Sequence, residues 1–244
     1  MNKMRLARMA PVQAPQRPSG RGVRKMAHGR STQAARRQAT RARLLEAAFN
    51  VFAAHGYTGA TVDAIVQTAG YSKGAFYFHF SSKEEVFLEV LWTRARAEEQ
   101  SLRAASEAAS GRPLELLRGV ASFLGPGHDD TLWPALLLEF WSHAARNPRV
   151  RDGVASVARF RREALLAALR AAAEIGVIRP SLPFEDCADL LLTLGDGLIA
   201  RAGSGQNGDT PAYLSALLAS VLGVQVGPRA VKESTPAIRR TGTQ

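Results

Sequence analysis

Apolar residues recur along this chain at helical spacing, and nowhere do ten residues in a row alternate as a strand would. Leu44, Leu45, Ala48, Phe49 and Phe52 predict an amphipathic helix over residues 40–55, ended by Gly56. Thr61 can cap a short helix whose apolar face is Val62, Ile65 and Val66, with Ala69 keeping its end narrow. Gly70 can take the left-handed conformation that stops that helix. Ser72 can cap the next one only two residues later. Ser82-Lys-Glu-Glu85 is a capping box, which opens a fourth helix from about Lys83 to Ser106. Two short helices around a tight glycine turn have the spacing of a helix-turn-helix, whose second helix enters the DNA major groove.

The second half predicts helices throughout. Pro113 opens one that carries Leu114, Leu117, Val120 and Leu124 and stops at Gly125-Pro-Gly127. Trp133-Pro134 opens another, running to about Arg146. A long helix follows from about Arg149 to Ala173, and two more cover Phe184 to Arg201 and Pro211 to Leu222. The fold class is therefore all-α. A three-helix DNA-binding domain at 36–82, with its helix-turn-helix at 61–80, precedes a larger helical domain at 83–227. Residues 1–35, rich in Pro, Gly, Arg and Gln, and 228–244 lack periodicity and are expected to be disordered.

The residues from Arg43 to Val90 resemble the TetR/AcrR family of transcriptional regulators. The matching runs are "AAFNVFAAHGY", "TVDAI…AGYSKGAFYFHF" and "SSKEEVF". Capping, glycine and aromatic positions agree together over about fifty residues, which makes the match specific. Ala75-Phe76 stands where many members have Thr-Leu or Thr-Ile, one hydroxyl fewer for base contact. The resemblance implies DNA contacts from Tyr77 and His79 and a phosphate anchor at Lys83. Thr61 at the start of the first helix, with Ser72, Lys73 and Gly74 at the start of the second, join that set. The helix N-terminus there favours phosphate, and Gly74 lets the backbone come close. Phe76 and Phe80 should turn inward, against Phe49 and Phe52.

Charge sharpens the picture. The chain of 244 residues has a net charge of +11, yet residues 1–45 hold twelve basic side chains and no acid. The body between is mildly acidic. A basic arm ahead of a helix-turn-helix suits phosphate or minor-groove contact; a solvated leader without a role is the other reading. All four methionines lie within the first 26 residues, so Met1 and Met26 are both candidate starts. Met1–Met9 is basic, but no apolar core follows as in a signal peptide. A single cysteine, Cys187, excludes an intramolecular disulfide and fits a reducing cytoplasm. No run of 18 apolar residues suggests a membrane span.

The resemblance also implies an apolar ligand cavity in the second domain and a dimer built from the last two helices. Phe123, Trp133, Phe140, Trp141 and His143 are the expected cavity residues, and a small, largely apolar effector is the expected ligand. Leu190, Leu194 and Leu198 in one helix, with Leu214, Leu217, Leu218 and Val221 in the next, are the expected homodimer face. Gly203-Ser-Gly205-Gln-Asn-Gly208 fits a dinucleotide fingerprint on paper but follows no strand, so it reads as a loop and no cofactor is implied. The five histidines lack zinc spacing, and no nucleophile–base pair stands out. The function expected is a dimeric repressor released from double-stranded operator DNA by its effector. A ligand-independent regulator or an activator is the alternative, and an enzyme acting through the helical domain is less favoured.

Overall fold

The structure is a computed structural model describing residues 24–108, 112–125, 132–206 and 213–224. Among these, every regular element is a helix: α1 (Arg24–Gly59), α2 (Val62–Ala69), α3 (Lys73–His79), α4 (Lys83–Ala108), α5 (Pro113–Leu124), α6 (Trp133–Arg146), α7 (Pro148–Glu174), α8 (Phe184–Gly203) and α9 (Tyr213–Val221). None is long and apolar enough to cross a membrane.

The described residues divide into two units between Thr40 and Arg41. In the first, helix already runs at Arg24, whereas residues 24–35 were expected to be disordered. Beyond Pro18 no proline interrupts the chain there, and Ala34, Ala35, Arg36 and Arg37 are strong helix formers. Gln33 to Ala39 are exposed, so this stretch presents no buried face. The expected disorder of 1–23 and 228–244 lies outside the described residues.

In the second unit, local chemistry sets the helix ends. Thr61 Oγ1 accepts from Ala64 N at 3.1 Å, and Ser72 Oγ accepts from Ala75 N at 3.2 Å. Gly70 turns left-handed at φ 71° and closes α2 by donating toward Val66 and Gln67. The box that opens α4 is shifted by one residue. Ser82 Oγ accepts from Glu85 N at 3.2 Å, but the Glu85 carboxylate reaches back to Ser81 N at 2.6 Å rather than to Ser82. Prolines stand at the first turns of α5, α6 and α7, where the missing N–H costs no helical bond.

Two apolar cores fill this unit. One joins Leu44, Phe52, Ile65, Phe76 and Phe80 to Phe87 of α4 and Trp133 and Phe140 of α6. The other gathers α5, the second half of α7, α8 and α9 around Leu116, Leu165, Leu169 and Leu191, with Cys187 packed among them. The first core runs straight across the boundary that the sequence places at 82/83. Helix α4 also packs closely on α5 and α7. At Gly119 of α5, a β-carbon would stand 2.4 Å from Ala105 Cβ of α4. Ala105 has no flexible side chain that could yield. Gly119→Ala should therefore cost about 1–3 kcal/mol, as overpacked cores do. Urea unfolding would show a lower midpoint at unchanged slope; an unchanged midpoint would contradict so close a crossing.

Candidate nucleic-acid interface and ligand cavity

Helix α3 splits its aromatics by direction. Phe76 and Phe80 are fully buried, while Tyr77 is 56% and Phe78 61% exposed. His79 is half-buried, its ring edge-on to Phe78 at 5.0 Å. Phe78 is the outward group that the sequence reading missed. In a run of Phe-Tyr-Phe-His-Phe, composition suggests core, and only the helical phase set by Phe76 and Phe80 turns Phe78 outward. Thr61 and Ser72 spend their hydroxyls on caps. Lys73 is exposed and pairs with Asp63 at 2.7 Å, a contact that holds its ammonium above the ordinary lysine pKa.

Lys83 differs from expectation. Its ammonium donates to Tyr57 O at 2.8 Å and Ala60 O at 2.9 Å and stands 4.5 Å from the Tyr57 ring centre. Burial lowers its pKa. The side chain is turned inward because the end of α1 leaves carbonyls that need donors. It clamps the α1–α2 turn.

Tyr57 is the meeting point of the surrounding helices. Its ring lies edge-on to Phe87 at 5.2 Å and to Phe140 at 4.9 Å, with His143 at 5.1 Å. Burial first, and then the nearby Glu84, push the phenol well above its ordinary range. His143 Nε2 is 3.6 Å from Glu84 Oε1. Beside this cluster, Glu139 of α6 accepts from Thr58 N at 3.1 Å. Gly56 breaks α1 at φ 71° and passes so close that a β-carbon would lie 2.7 Å from Glu139 Oε1. One face of α6 thus grips the end of α1.

The adjoining face of α6 lines a cavity of about 190 Å³. Trp133, Leu137 and Trp141 recur every four residues along it, as one stripe of a helix must. Arg94 and Glu98 of α4, Arg161 of α7, and Asp196 and Ile199 of α8 complete the wall. Of the expected ligand residues, Trp133 and Trp141 line this space. Phe140 does not: it is fully buried against Tyr57 and Phe87. His143 turns with it toward Glu84, and Phe123 belongs to the second core. The four charged residues went unread because a charge at helical spacing ordinarily marks a solvated face. Among the described residues no cluster suited to a metal ion occurs.

The expected dimer face divides similarly. Leu214 and Leu218 are buried within the subunit, and Leu194, Leu198 and Val221 are partly covered by the same core. Leu190 and Leu217 remain outward at 47% and 39% exposure.

Capped α2, left-handed Gly70 and outward-facing α3 define a helix-turn-helix set on an all-helical body. Comparison with known proteins places it further. The sequence profile of bacterial regulatory proteins of the tetR family matches residues 44–90, and that of the BetI-type transcriptional repressor C-terminal domain matches residues 113–225. The chain is 35% identical over 170 residues to the HTH-type transcriptional repressor AcnR of Corynebacterium diphtheriae, covering 70% of this chain and 83% of that protein. It is 32% identical over 185 residues to the HTH-type transcriptional repressor Rv1474c of Mycobacterium tuberculosis, covering 74% and 89%. A solved transcriptional regulator from Rhodococcus sp. Rha1 superposes with a TM-score of 0.57 at 29% identity, covering 77% of this chain and 99% of that one. The chain belongs to the TetR family of DNA-binding transcriptional regulators.

The Tyr57 cluster carries a pH signature. Burial tends to raise the Glu84 pKa, but its own backbone amide, the nearby Ser82 and Tyr57 hydroxyls and the charge of His143 outweigh it and hold the carboxyl below its ordinary value. A depressed carboxylate stabilises the fold above its unfolded pKa, and that contribution is lost as pH falls through the folded value. Glu84→Gln should therefore flatten the decline in stability below about pH 4.5, measured by urea midpoints across pH. An unaltered acid limb would remove Glu84 from the account.

Proposed function

We propose that this chain is a dimeric repressor whose α3 reads operator DNA and which a small molecule in the α4–α6–α7–α8 cavity releases. Gly74 carries the DNA-binding part. In the first turn of α3 a glycine costs about 1 kcal/mol relative to alanine. Yet a β-carbon at Gly74 would meet nothing nearer than Ser72 Oγ at 3.7 Å. The fold does not ask for the missing side chain, so an outside partner is the reason for it. A phosphate backbone drawn against the start of α3 needs that clearance. Tyr77, Phe78 and His79 then face the groove from the same short helix, with Lys73 exchanging Asp63 for phosphate. Lys83 acts mainly by holding the turn that aims α3.

Repression is supported by the similar proteins, which are named as repressors. Dimerisation is supported by Leu190 and Leu217, outward on α8 and α9. Two recognition helices about 34 Å apart would enter successive major grooves. A ligand that favours another spacing shifts the population off DNA, and operator binding must weaken ligand binding by the same factor.

Gly74→Leu should abolish binding to an operator selected from random DNA while leaving the melting temperature unchanged or slightly raised. Fluorescence anisotropy and thermal unfolding measure the two. Retained operator affinity would show that α3 does not approach DNA through this turn. Wild-type affinity should also fall steeply with salt as counterions return to the phosphates.

Leu190→Glu should yield a folded monomer in sedimentation, with operator binding largely lost. Because Leu190 is exposed in the single subunit, the fold itself has no reason to fail. A stable dimer carrying the substitution would place the interface elsewhere.

A further inference from the structure

The polar groups of the cavity do not complete one another. Glu98 is held from two sides: Arg94 Nε donates to Oε1 at 3.1 Å, and Arg161 Nε lies 3.4 Å from Oε2. The second approach is within ion-pair distance but misses hydrogen-bond geometry, so the buried Arg161 Nε–H has no acceptor among the described residues. Arg161 cannot swing to water. Its terminal nitrogen donates to Phe123 O at 2.9 Å, and its guanidinium stands 5.1 Å from the Phe123 ring centre. Asp196 faces the same space without a hydrogen bond to a described residue. Asp196 is exposed at the mouth of the space, yet the partial burial of its carboxyl raises its pKa, with Arg161 pulling the other way.

One buried donor without an acceptor and one carboxylate open to solvent therefore share a space walled by Trp133, Trp141, Leu137 and Ile199. Two arginines and two carboxylates leave the lining neutral. A bare anion would satisfy Arg161 and meet two carboxylates. A bare cation would satisfy Asp196 and meet two guanidiniums. Unpaired charge in such a place is costly, whereas a ligand carrying both signs meets both needs. Size agrees: a cavity of about 150 Å³ holds benzene, so about 190 Å³ holds a ring with a short polar head. We propose that the cavity takes a compact zwitterion, a carboxylate and an ammonium on one apolar body, with the carboxylate on Arg161 and the ammonium on Asp196. This rests on reading the cavity as the effector site. The ring packs against the tryptophans, and the ammonium gains from the same aromatic faces.

Three probes share one ring and differ in charge: L-phenylalanine, 3-phenylpropionate and 2-phenylethylamine. Calorimetric titration into the full chain should give phenylalanine at least a tenfold advantage over either half-molecule. Asp196→Asn, nearly isosteric and checked by circular dichroism, should weaken phenylalanine and phenylethylamine about tenfold and leave phenylpropionate unchanged. The proposal is overturned if phenylpropionate or phenylethylamine binds as well as phenylalanine, if Asp196→Asn leaves phenylalanine binding intact, or if none of the three binds at millimolar concentration. Operator release is read separately by anisotropy. Phenylalanine that binds through Asp196 yet leaves the operator complex intact supports the zwitterion site and refutes the effector reading alone.

Discussion

The aromatic packing around Tyr57 is the constraint on which the rest of the molecule depends. Three short helices of about forty residues cannot bury enough surface to stand alone without a staple or a partner. Here the partner is internal. Phe52, Phe76 and Phe80 belong to the same core as Phe87 of α4 and Phe140 of α6, with Tyr57 edge-on to both of the last two. The recognition helix is therefore aimed by residues of the body behind it. Lys83 and Glu139 tie off the carbonyl and amide groups left open where α1 ends.

That sharing gives α6 two tasks at once. Trp133, Leu137 and Trp141 line the cavity, and Glu139 and Phe140 hold the end of α1. Close-packed interiors do not deform smoothly, so a ligand that shifts α6 must also disturb Tyr57 and Thr58. In the proposed mechanism this is the element with two arrangements, biased by the ligand on one face and by DNA through the other. Helix α4 provides a second route, since Arg94 and Glu98 line the cavity while Phe87 anchors the head.

Much of this was legible in the chain because caps and glycines act locally. Thr61, Gly70 and Ser72 fix their helix ends through bonds to neighbours three or four residues away, and the Trp133–Arg146 helix needed only its proline and its period. Directions were harder to read. Phe140 and Trp141 are adjacent, yet a step of about 100° sends one into the core and the other to the cavity wall. Broad apolar stripes hide such phases, which is also why Leu190 and Leu214 could not be told apart as outward and buried. Long-range partners left no mark at all. Nothing around Lys83 announces that its ammonium serves carbonyls of Tyr57 and Ala60, and nothing around Arg161 or Asp196 announces a shared cavity.

The central claim is that α6 carries the state of the cavity to the DNA-reading helices. It is tested most directly by a double-mutant cycle on operator affinity. Leu192→Trp fills the cavity from α8, and Glu139→Ala cuts the tie to Thr58. The account predicts that Leu192→Trp weakens operator binding, and that it does so far less once Glu139 is gone, leaving a coupling energy above the roughly 0.5 kcal/mol within which independent sites add. Strictly additive effects would show that the cavity and the grip on α1 are not connected through this helix.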